Sequence, residues 1–197
     1  MALNQPRDLS DLVLAPAQRA DLIVDITGPV GFDMQTGQGA YRLADLSVSG
    51  ENTDRKAGPL PTLTAPNLPA PGSPAQHLRL TMMGGAMGGH HGGANIWSFN
   101  DVSDLPPDPF ATIERGETVR ITLANDTAFP HGIHLHGHHF YEVAADGSLG
   151  DLRDTTLVAA RESRDVLCVF DNPGRWLIHC HMLSHAIGGM RTWVKVT

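Results

Sequence analysis

A chain of 197 residues is long enough for one complete domain and part of a second, since most domains have about 100–150 residues. Its formal net charge of −7 argues against a nucleic-acid partner, because nucleic-acid-binding domains are usually basic. The sequence has no run of about 18 apolar residues, so no membrane-spanning helix is predicted. Residues 1–8 lack the apolar region of a signal peptide; we therefore expect either no export or a presequence outside this sequence.

Residues 1–50 have the pattern of a few short strands separated by turns. Residues 12–14, 20–26 and 40–43 are the predicted strands. They offer too little apolar surface for a sandwich of their own. Residues 51–75 hold many of the prolines, which predicts an extended linker.

Residues 76–197 have the pattern of an all-β sandwich. Glycine and proline are abundant in the chain, aromatic residues make up only 6%, and helical periodicity is rare. Residues 117–125 alternate polar and apolar side chains after a turn, which predicts a strand. Residues 165–170 are predicted to form a buried strand, in which Cys168 packs as a small apolar side chain.

Two segments carry the residues with metal-binding chemistry. The first, residues 131–139, contains five histidines in nine positions. In an extended segment His134 and His136 share one face and His131 points to the other. The second, residues 174–182, is a predicted strand in which Cys180 points away from His179 and His181. One strand would therefore serve two metal sites, one on each face.

Copper is the metal that this set of side chains favours. Two histidines, one cysteine and a weak axial methionine are the ligands of a blue-copper site. Cys180 supplies the thiolate, and His131, His185 and Met190 can complete that set. The opposite face is expected to gather four imidazoles: His134, His136, His179 and His181.

Other interpretations of these residues remain. A histidine-rich loop can bind nickel or zinc, or can be a surface loop that binds no metal. Cys180 and Cys168 are the two cysteines and permit one disulfide, although a thiolate ligand is the better use of Cys180. His138 is interpreted as a hydrogen-bonding neighbour of a ligand. His77 and His139 are interpreted as ordinary residues.

These two segments resemble the third and fourth copper-binding motifs of the multicopper oxidases, the laccase-like family. Those motifs are His-Pro-x-His-Leu-His-Gly-His and His-Cys-His-x3-His-x4-Met, and the order and internal spacing agree. Gly132 replaces the usual proline. Ser184 stands where many bacterial members carry an acidic residue. Residues 14–25 are similar to the closing strands of the family's middle domain.

The resemblance implies an architecture and a ligand assignment. Residues 1–50 would be a remnant of a cupredoxin-like middle domain, 51–75 a proline-rich linker, and 76–197 a C-terminal cupredoxin domain with a Greek-key β-sandwich. The implied ligands are His131, Cys180, His185 and Met190 for type 1 copper, His134 for type 2 copper, and His136, His179 and His181 for type 3 copper.

The resemblance also implies an activity. A small reducing substrate, such as a phenol, an aromatic amine or Cu(I), would give single electrons to the type 1 copper, near which the imidazoles of His185 and His131 are expected at the surface. Cys180 would pass each electron through His179 and His181 to a cluster that reduces O2 to water. The resemblance implies a periplasmic or secreted location.

The sequence contains only half of the imidazoles that the family's trinuclear cluster uses. The His-x-His motifs of the family's first domain are absent, since His90 and His91 are adjacent rather than alternate. Three hypotheses follow. The chain is part of an oxidase whose missing N-terminal domains complete the cluster. A homodimer contributes four histidines from each chain. Alternatively, the chain is a copper electron carrier or copper-handling protein without oxygen reduction.

Residues 81–93 mix methionine and histidine in a glycine-rich sequence, predicted to be a loop. Thioether sulfur binds Cu(I), so residues 82–91 are a candidate Cu(I)-capture segment. The alternative is a loop whose methionines cover apolar surface.

Overall fold

The computed structural model describes residues 6–8, 12–24, 26–50, 58, 63–64, 66–85 and 96–197. It divides into two compact units, Met1–Gln18 with Thr62–Thr197, and Arg19–Pro61. Twelve of the 25 residues of the predicted linker lie outside the described residues, and the domain boundaries at 50 and 75 stay predictions. Over the described ranges, no helix combines the length and apolar character needed to cross a membrane.

The regular secondary structure of the larger unit consists of β-strands and one short helix in the described residues, as the predicted all-β class requires. Its strands are β3 (Gln76–Gly84), β4 (Trp97–Phe99), β5 (Ala111–Ile113), β6 (Thr118–Asn125), β7 (His131–Leu135), β8 (Phe140–Val143), β9 (Leu149–Arg153), β10 (Thr155–Val158), β11 (Ser163–Val169), β12 (Gly174–Cys180) and β13 (Arg191–Val196). One short helix, α1 (Leu183–Ile187), connects β12 to β13.

These strands form two sheets with a shared core. One sheet has the order β10-β7-β12-β13-β5, and the other has the order β4-β3-β6-β11-β8-β9. Buried side chains from both sheets make a single apolar cluster, for example Ile121 and Val166 from one sheet and Ile178 and Val194 from the other. The predicted all-β sandwich is therefore confirmed.

The register of β7 against β12 sets the position of the metal-binding residues. The two strands are antiparallel, with His179 opposite His134 and Cys180 opposite Ile133. This pairing brings together the two histidine-containing segments, although the paired residues His134 and His179 are 45 positions apart in the chain. Strand β12 ends at Cys180, two residues before the predicted end, because Met182 is already the N-cap of α1.

The smaller unit contains one antiparallel hairpin, β1 (Val30–Thr36) and β2 (Gly39–Leu46). The predicted strand at 40–43 lies within β2, whereas β1 was not predicted.

The described residues of 12–14 and 20–26 are not in strands, which corrects the prediction of strands there. They have an apolar pattern, but no neighbouring strand pairs with their backbone, and a strand needs such a partner.

Candidate metal centre

Strand β12 presents its side chains to two environments. Cys180 is fully buried at 0% exposure, whereas His179 and His181 on either side of it are partly exposed. This is the alternation expected of an extended strand, and it places sulfur on the core side and two imidazoles on the opposite side.

On the core side, one thiol and two imidazoles converge. The Sγ atom of Cys180 lies 3.7 Å from Nδ1 of His131 and 3.8 Å from Nδ1 of His185. The two Nδ1 atoms are 3.0 Å apart. All three ligand atoms lie within 4.8 Å of one another. Nitrogen and sulfur ligands bind transition metals at about 2.0–2.3 Å, so this spacing fits one ion held between them.

Met190 follows α1 in the chain and is hydrogen-bonded through its backbone to two members of this group. Its side chain is fully buried, and its backbone is bonded to the site from two directions. The carbonyl of Met190 accepts the N–H of Cys180 at 3.2 Å, and its own N–H donates to the carbonyl of His185 at 3.0 Å. The thioether is therefore carried by a residue whose backbone is hydrogen-bonded to Cys180 and His185, two of the other proposed ligands.

His131 is oriented by a threonine on the turn before β7. Its Nε2 lies 2.8 Å from the hydroxyl of Thr127. That hydroxyl donates toward the side-chain oxygen of Asn125 or the carbonyl of Phe129, so it accepts from Nε2–H of His131. The proton then sits on Nε2, and Nδ1 faces the thiol without one. Burial and the nearby charge of His185 lower the pKa of His131 to about 4.

His185 is held by the segment around β4. The indole of Trp97 lies over its imidazole, with ring centroids 4.3 Å apart and an interplanar angle of 35°. The backbone N–H of Trp97 donates to the carbonyl of Gly188, and the backbone N–H of Asp104 donates to the carbonyl of Gly189. Burial lowers the pKa of His185 as well. His185 is partly exposed and His131 fully buried, so the expectation that both lie near the surface is wrong for His131.

The buried thiol needs a positive charge to ionise. Burial raises the pKa of Cys180, and hydrogen bonds from the backbone N–H groups of Met182 and Gly132 act in the opposite direction. A bound metal ion deprotonates a coordinating thiol outright. A largely buried site with one thiol and two neutral imidazoles suits copper, because thiolate and imidazole are both good copper ligands.

On the opposite face, four imidazoles cluster at the β7–β12 pair. Ring centroids are 4.3 Å apart for His134 and His181, 4.6 Å for His134 and His136, and 4.9 Å for His179 and His181. The Nε2 atoms of His136 and His179 are 3.0 Å apart. The four predicted members of this cluster are therefore brought together, on a surface that is partly open to solvent.

Backbone carbonyls hold the Nδ1 side of three of these rings. Nδ1 of His134 donates to the carbonyl of Asp154 at 2.8 Å, and Nδ1 of His179 donates to that of Cys180 at 3.0 Å. The third such contact joins His181 to the carbonyl of Pro16 at 3.2 Å. A carbonyl can only accept, so each Nδ1 carries the proton and each Nε2 is left as a metal-binding nitrogen.

Burial favours the neutral form of three of these imidazoles, those of His134, His136 and His179. It is the largest cause that lowers the pKa of His134 to about 4, ahead of the opposing hydrogen bond to Asp154. Burial also lowers the pKa values of His136 and His179, and the charge of the neighbouring His181 acts in the same direction. Neutral imidazole is the form that binds metals.

His138 lies beside this cluster. It is 3% exposed, its Nδ1 donates to the carbonyl of His136 at 3.3 Å, and its Nε2 accepts the backbone N–H of Asn172 at 3.4 Å. Its interpretation as a hydrogen-bonding neighbour of a proposed ligand agrees with this geometry. His77 is exposed and His139 partly buried.

The alternative of a disulfide is not realised in the structure. Cys168 and Cys180 are both free thiols. Cys168 lies in β11 at 0% exposure, and burial raises its pKa, so it packs as the apolar side chain that was predicted.

The predicted loop at 81–93 is corrected at its first residues, which belong to a strand. Strand β3 continues through Gly84 and pairs with β4, with Met82 opposite Phe99 and Met83 opposite Ser98. Met82 is fully buried in the core, so its thioether covers apolar surface rather than lying in a loop. Met87, His90 and His91 lie outside the described residues.

Sequence reasoning missed three contributors to the site: Thr127, Trp97 and the carbonyl of Pro16. Thr127 follows Asn125 in a turn just before the histidine-rich segment, which is a weak signal for a side chain aimed at it. No sequence signal pointed to Trp97 or Pro16, because both reach their imidazoles through contacts distant in the chain.

The fold and the site together define a class, the copper proteins with a cupredoxin-type β-sandwich. A sequence profile of the multicopper oxidase family matches residues 73–197, and the chain belongs to that family. Membership of this family implies copper as the metal, and the group of His131, Cys180 and His185 is compatible with a type 1 site.

Individual relatives agree with this assignment. The chain is 30% identical to the multicopper oxidase MmcO of Mycobacterium tuberculosis over 95% of its own length and 38% of that protein. It is 32% identical to copper resistance protein A of Escherichia coli over 83% of the chain and 26% of the relative. The crystal structure of Lac15 from a marine microbial metagenome matches with a TM-score of 0.68 and 46% identity, covering 87% of this chain and 40% of that one. The chain therefore spans less than half of each of these relatives.

Proposed function

We propose that this chain is the copper-binding C-terminal part of a laccase-like multicopper oxidase. The single observation that carries the proposal is the convergence of Cys180 with His131 and His185 on one face of β12, while four imidazoles gather on the other face. His131, Cys180, His185 and the axial Met190 would hold type 1 copper. The opposite face would hold half of a type 2 and type 3 cluster, through His134, His136, His179 and His181.

When bound, copper supplies one-electron oxidation of a reducing substrate and, at a completed cluster, reduction of O2 to water. The chain's own contribution begins with access. His185 is the more exposed of the two imidazoles beside Cys180, so its ring is the edge that a phenol, an aromatic amine or Cu(I) would approach. The buried Cys180 and His131 keep water away from the sulfur side.

The connection between the two faces is the backbone of β12 itself. Cys180 is covalently joined to His179 and His181, and the carbonyl of Cys180 accepts the Nδ1–H of His179 at 3.0 Å. The covalent path from the Cys180 sulfur to either imidazole thus crosses one peptide bond. The hydrogen bond to the Cys180 carbonyl offers a shorter path to His179. Cys180, His179 and His181 are the proposed electron path.

The test of the type 1 assignment is a copper titration followed by visible absorption. We expect the wild-type chain to develop the blue band of a copper–thiolate bond, and Cys180→Ser to lose it completely, because serine offers no thiolate. Cys168→Ala is the matched control, since it removes the other buried thiol and should keep the band. A strong blue band in Cys180→Ser would refute the assignment.

We also propose that the four-imidazole face is completed by histidines from outside this chain. His136 is exposed and the other three rings are partly exposed, and the chain supplies only half of the imidazoles that such a cluster needs. Either further domains of a longer polypeptide or a second copy in a two-fold dimer would supply the remainder.

Copper counting combined with solution mass separates these possibilities. A homodimer with a shared cluster would bind about five coppers per pair of chains, two of them at type 1 sites. About one copper per monomer, with blue colour but no oxygen uptake, would favour an electron carrier or a part that requires further domains. If oxygen uptake then appeared when the chain was expressed as part of a longer polypeptide with further domains, those domains would be the source of the remaining histidines.

A further inference from the structure

We propose that the turn formed by residues 15–18 is a positioning element for His181. In this inference, which rests on the proposed function, the carbonyl of Pro16 fixes the imidazole of His181 in the form that leaves Nε2 free for a metal. The turn lies far from the copper motifs in sequence, since Pro16 and His181 are 165 residues apart.

The turn is fastened to the same sheet as the histidines. It is closed by a hydrogen bond from the N–H of Gln18 to the carbonyl of Ala15 at 3.0 Å, and Ala15 is only 3% exposed. The Gln18 side chain accepts the N–H of Ala15 at 2.8 Å and donates to the carbonyl of Thr155 at the start of β10. Gln18 therefore ties both ends of the turn to a strand that borders β7.

Pro16 meets β7 at a position where a side chain would interfere. A Cβ atom at residue 132 would lie 3.2 Å from Cδ of Pro16 and 3.6 Å from Cβ of Ala15. Gly132, which stands in place of the family's usual proline, thus allows the turn to pack directly on the strand backbone. Packing at this distance sets how far the Pro16 carbonyl stands from the four-imidazole face.

His181 is consequently held at two points. Its backbone N–H donates to the carbonyl of Gly132 at 2.7 Å, and its ring Nδ1 lies 3.2 Å from the carbonyl of Pro16. The carbonyl can only accept a hydrogen bond, so Nδ1 of His181 carries the proton. A free neutral imidazole prefers the proton on Nε2, so without this partner the ring would tend to block its metal-binding nitrogen.

His134 and His179 find equivalent acceptors in Asp154 and in Cys180, as described above. Partners of this kind fix the ring orientation and tautomer of metal ligands, and their loss typically costs about 10–100-fold in metal affinity. Among the three carbonyl-held rings, His181 is the one whose partner comes from the segment before the sandwich.

The test reads the tautomer directly in the copper-free protein. Two-bond ¹H–¹⁵N correlation spectra of the ¹⁵N-labelled full chain, at a pH where imidazoles are neutral, distinguish a protonated Nδ1 from a protonated Nε2. We expect His181 in the wild type to carry its proton on Nδ1. In Gln18→Ala, which releases the turn, we expect a shift toward protonated Nε2, while His179 is unchanged and serves as the internal reference.

Gln76→Ala is the matched control. Gln76 is also partly buried and donates to Glu117 at 2.9 Å at a place remote from the turn, so its loss should leave His181 unchanged. If Gln18→Ala does not fold, Gly132→Ala displaces the turn from the opposite side and should give the same shift.

A His181 ring with its proton on Nε2 in the wild type would overturn the proposal. So would a Gln18→Ala variant that is less stable but keeps the wild-type tautomer. The blue band that tests the proposed function depends on Cys180 and not on this ring, so failure of this inference can be distinguished from failure of the proposed function.

Discussion

Individual imidazoles in this protein have one nitrogen engaged by the protein and the other directed into a site. Thr127 takes this role for His131, and backbone carbonyls take it for His134, His179 and His181. Because the engaged nitrogen carries the proton, the free one is ready to bind without rearrangement. The residue type of a ligand does not determine which of its ring nitrogens is free; its hydrogen-bond partner does.

Asp165 gives a prediction at the same scale. Burial by itself would raise the pKa of this carboxyl, but the hydroxyl of Thr122, at 2.6 Å, and the guanidinium of Arg120 outweigh burial, and the net pKa is lowered. A carboxyl with a lowered folded-state pKa stabilises the protein above its unfolded pKa of about 3.9, and this contribution is lost as pH falls through the folded value.

We expect Asp165→Asn to reduce the free energy of unfolding at pH 7 by about 1 kcal/mol, a value kept small because both partners are partly exposed. The difference from wild type should shrink as the pH falls below about 4. Chemical denaturation of both proteins across this range measures it, with the exposed Asp108→Asn as a control that has little effect. A difference that stays constant down to the lowest pH would contradict the account.

At the scale of elements, the segment from β4 to Asp104 clamps the connection between α1 and β13. Gly189 lies at the contact with φ of +113°, and a Cβ atom there would be 2.0 Å from the hydroxyl of Ser103 and 2.4 Å from the carbonyl of Trp97. The clamp therefore depends on a residue without a side chain. Because His185 precedes this contact and Met190 follows it, the clamp sets the geometry of both proposed ligands.

Gly189→Ala is expected to destabilise the copper-free protein by about 2–3 kcal/mol, since the clash forces two packed segments apart. It should also weaken or shift the blue band. Gly116→Ala is the matched control, because Gly116 has a similar φ of +89° with no atom within 4 Å of the added Cβ. The difference between the two variants in urea denaturation isolates the clash. Equal costs would show that backbone strain, and not the clamp, is responsible.

At the scale of the whole molecule, the two units differ in how their strands are supported. The sandwich buries side chains from two sheets in one core. The β1–β2 hairpin consists of two strands in which most large apolar side chains are exposed, for example Met34 at 47%, Tyr41 at 64% and Leu43 at 60%, and none is fully buried. A hairpin without a packed face is only marginally stable.

Amide hydrogen exchange should therefore divide the chain. We expect the paired amides of β1 and β2 to exchange at least about 100-fold faster than those of β6 and β12, because their opening exposes little apolar surface. Mass spectrometry of labelled peptides measures both groups in one sample, so the sandwich strands are the control. Equal protection of the hairpin and the sandwich would show that the hairpin has support beyond its own two strands.

Much of the fold and of the site could be predicted from local sequence. Strand β6 follows from alternation, and β11 and β12 follow from their short runs of apolar, branched and aromatic residues. The division of Cys180 from His179 and His181 follows from strand geometry, because side chains of any extended strand alternate between faces. The predicted strands at 12–14 and 20–26 failed because a strand also requires a partner, which local pattern does not supply.

The sequence by itself thus identified the side chains that we propose as copper ligands and the face of a strand that each would occupy, since both depend on residue type and on an alternation of period two. Only the tertiary structure decided what holds those side chains. The register of β7 on β12 brought His134 beside His179, and packing between distant segments brought Trp97 to His185 and Pro16 to His181. Such contacts arise from the closure of long loops around a shared core, and no local pattern of residues encodes that closure.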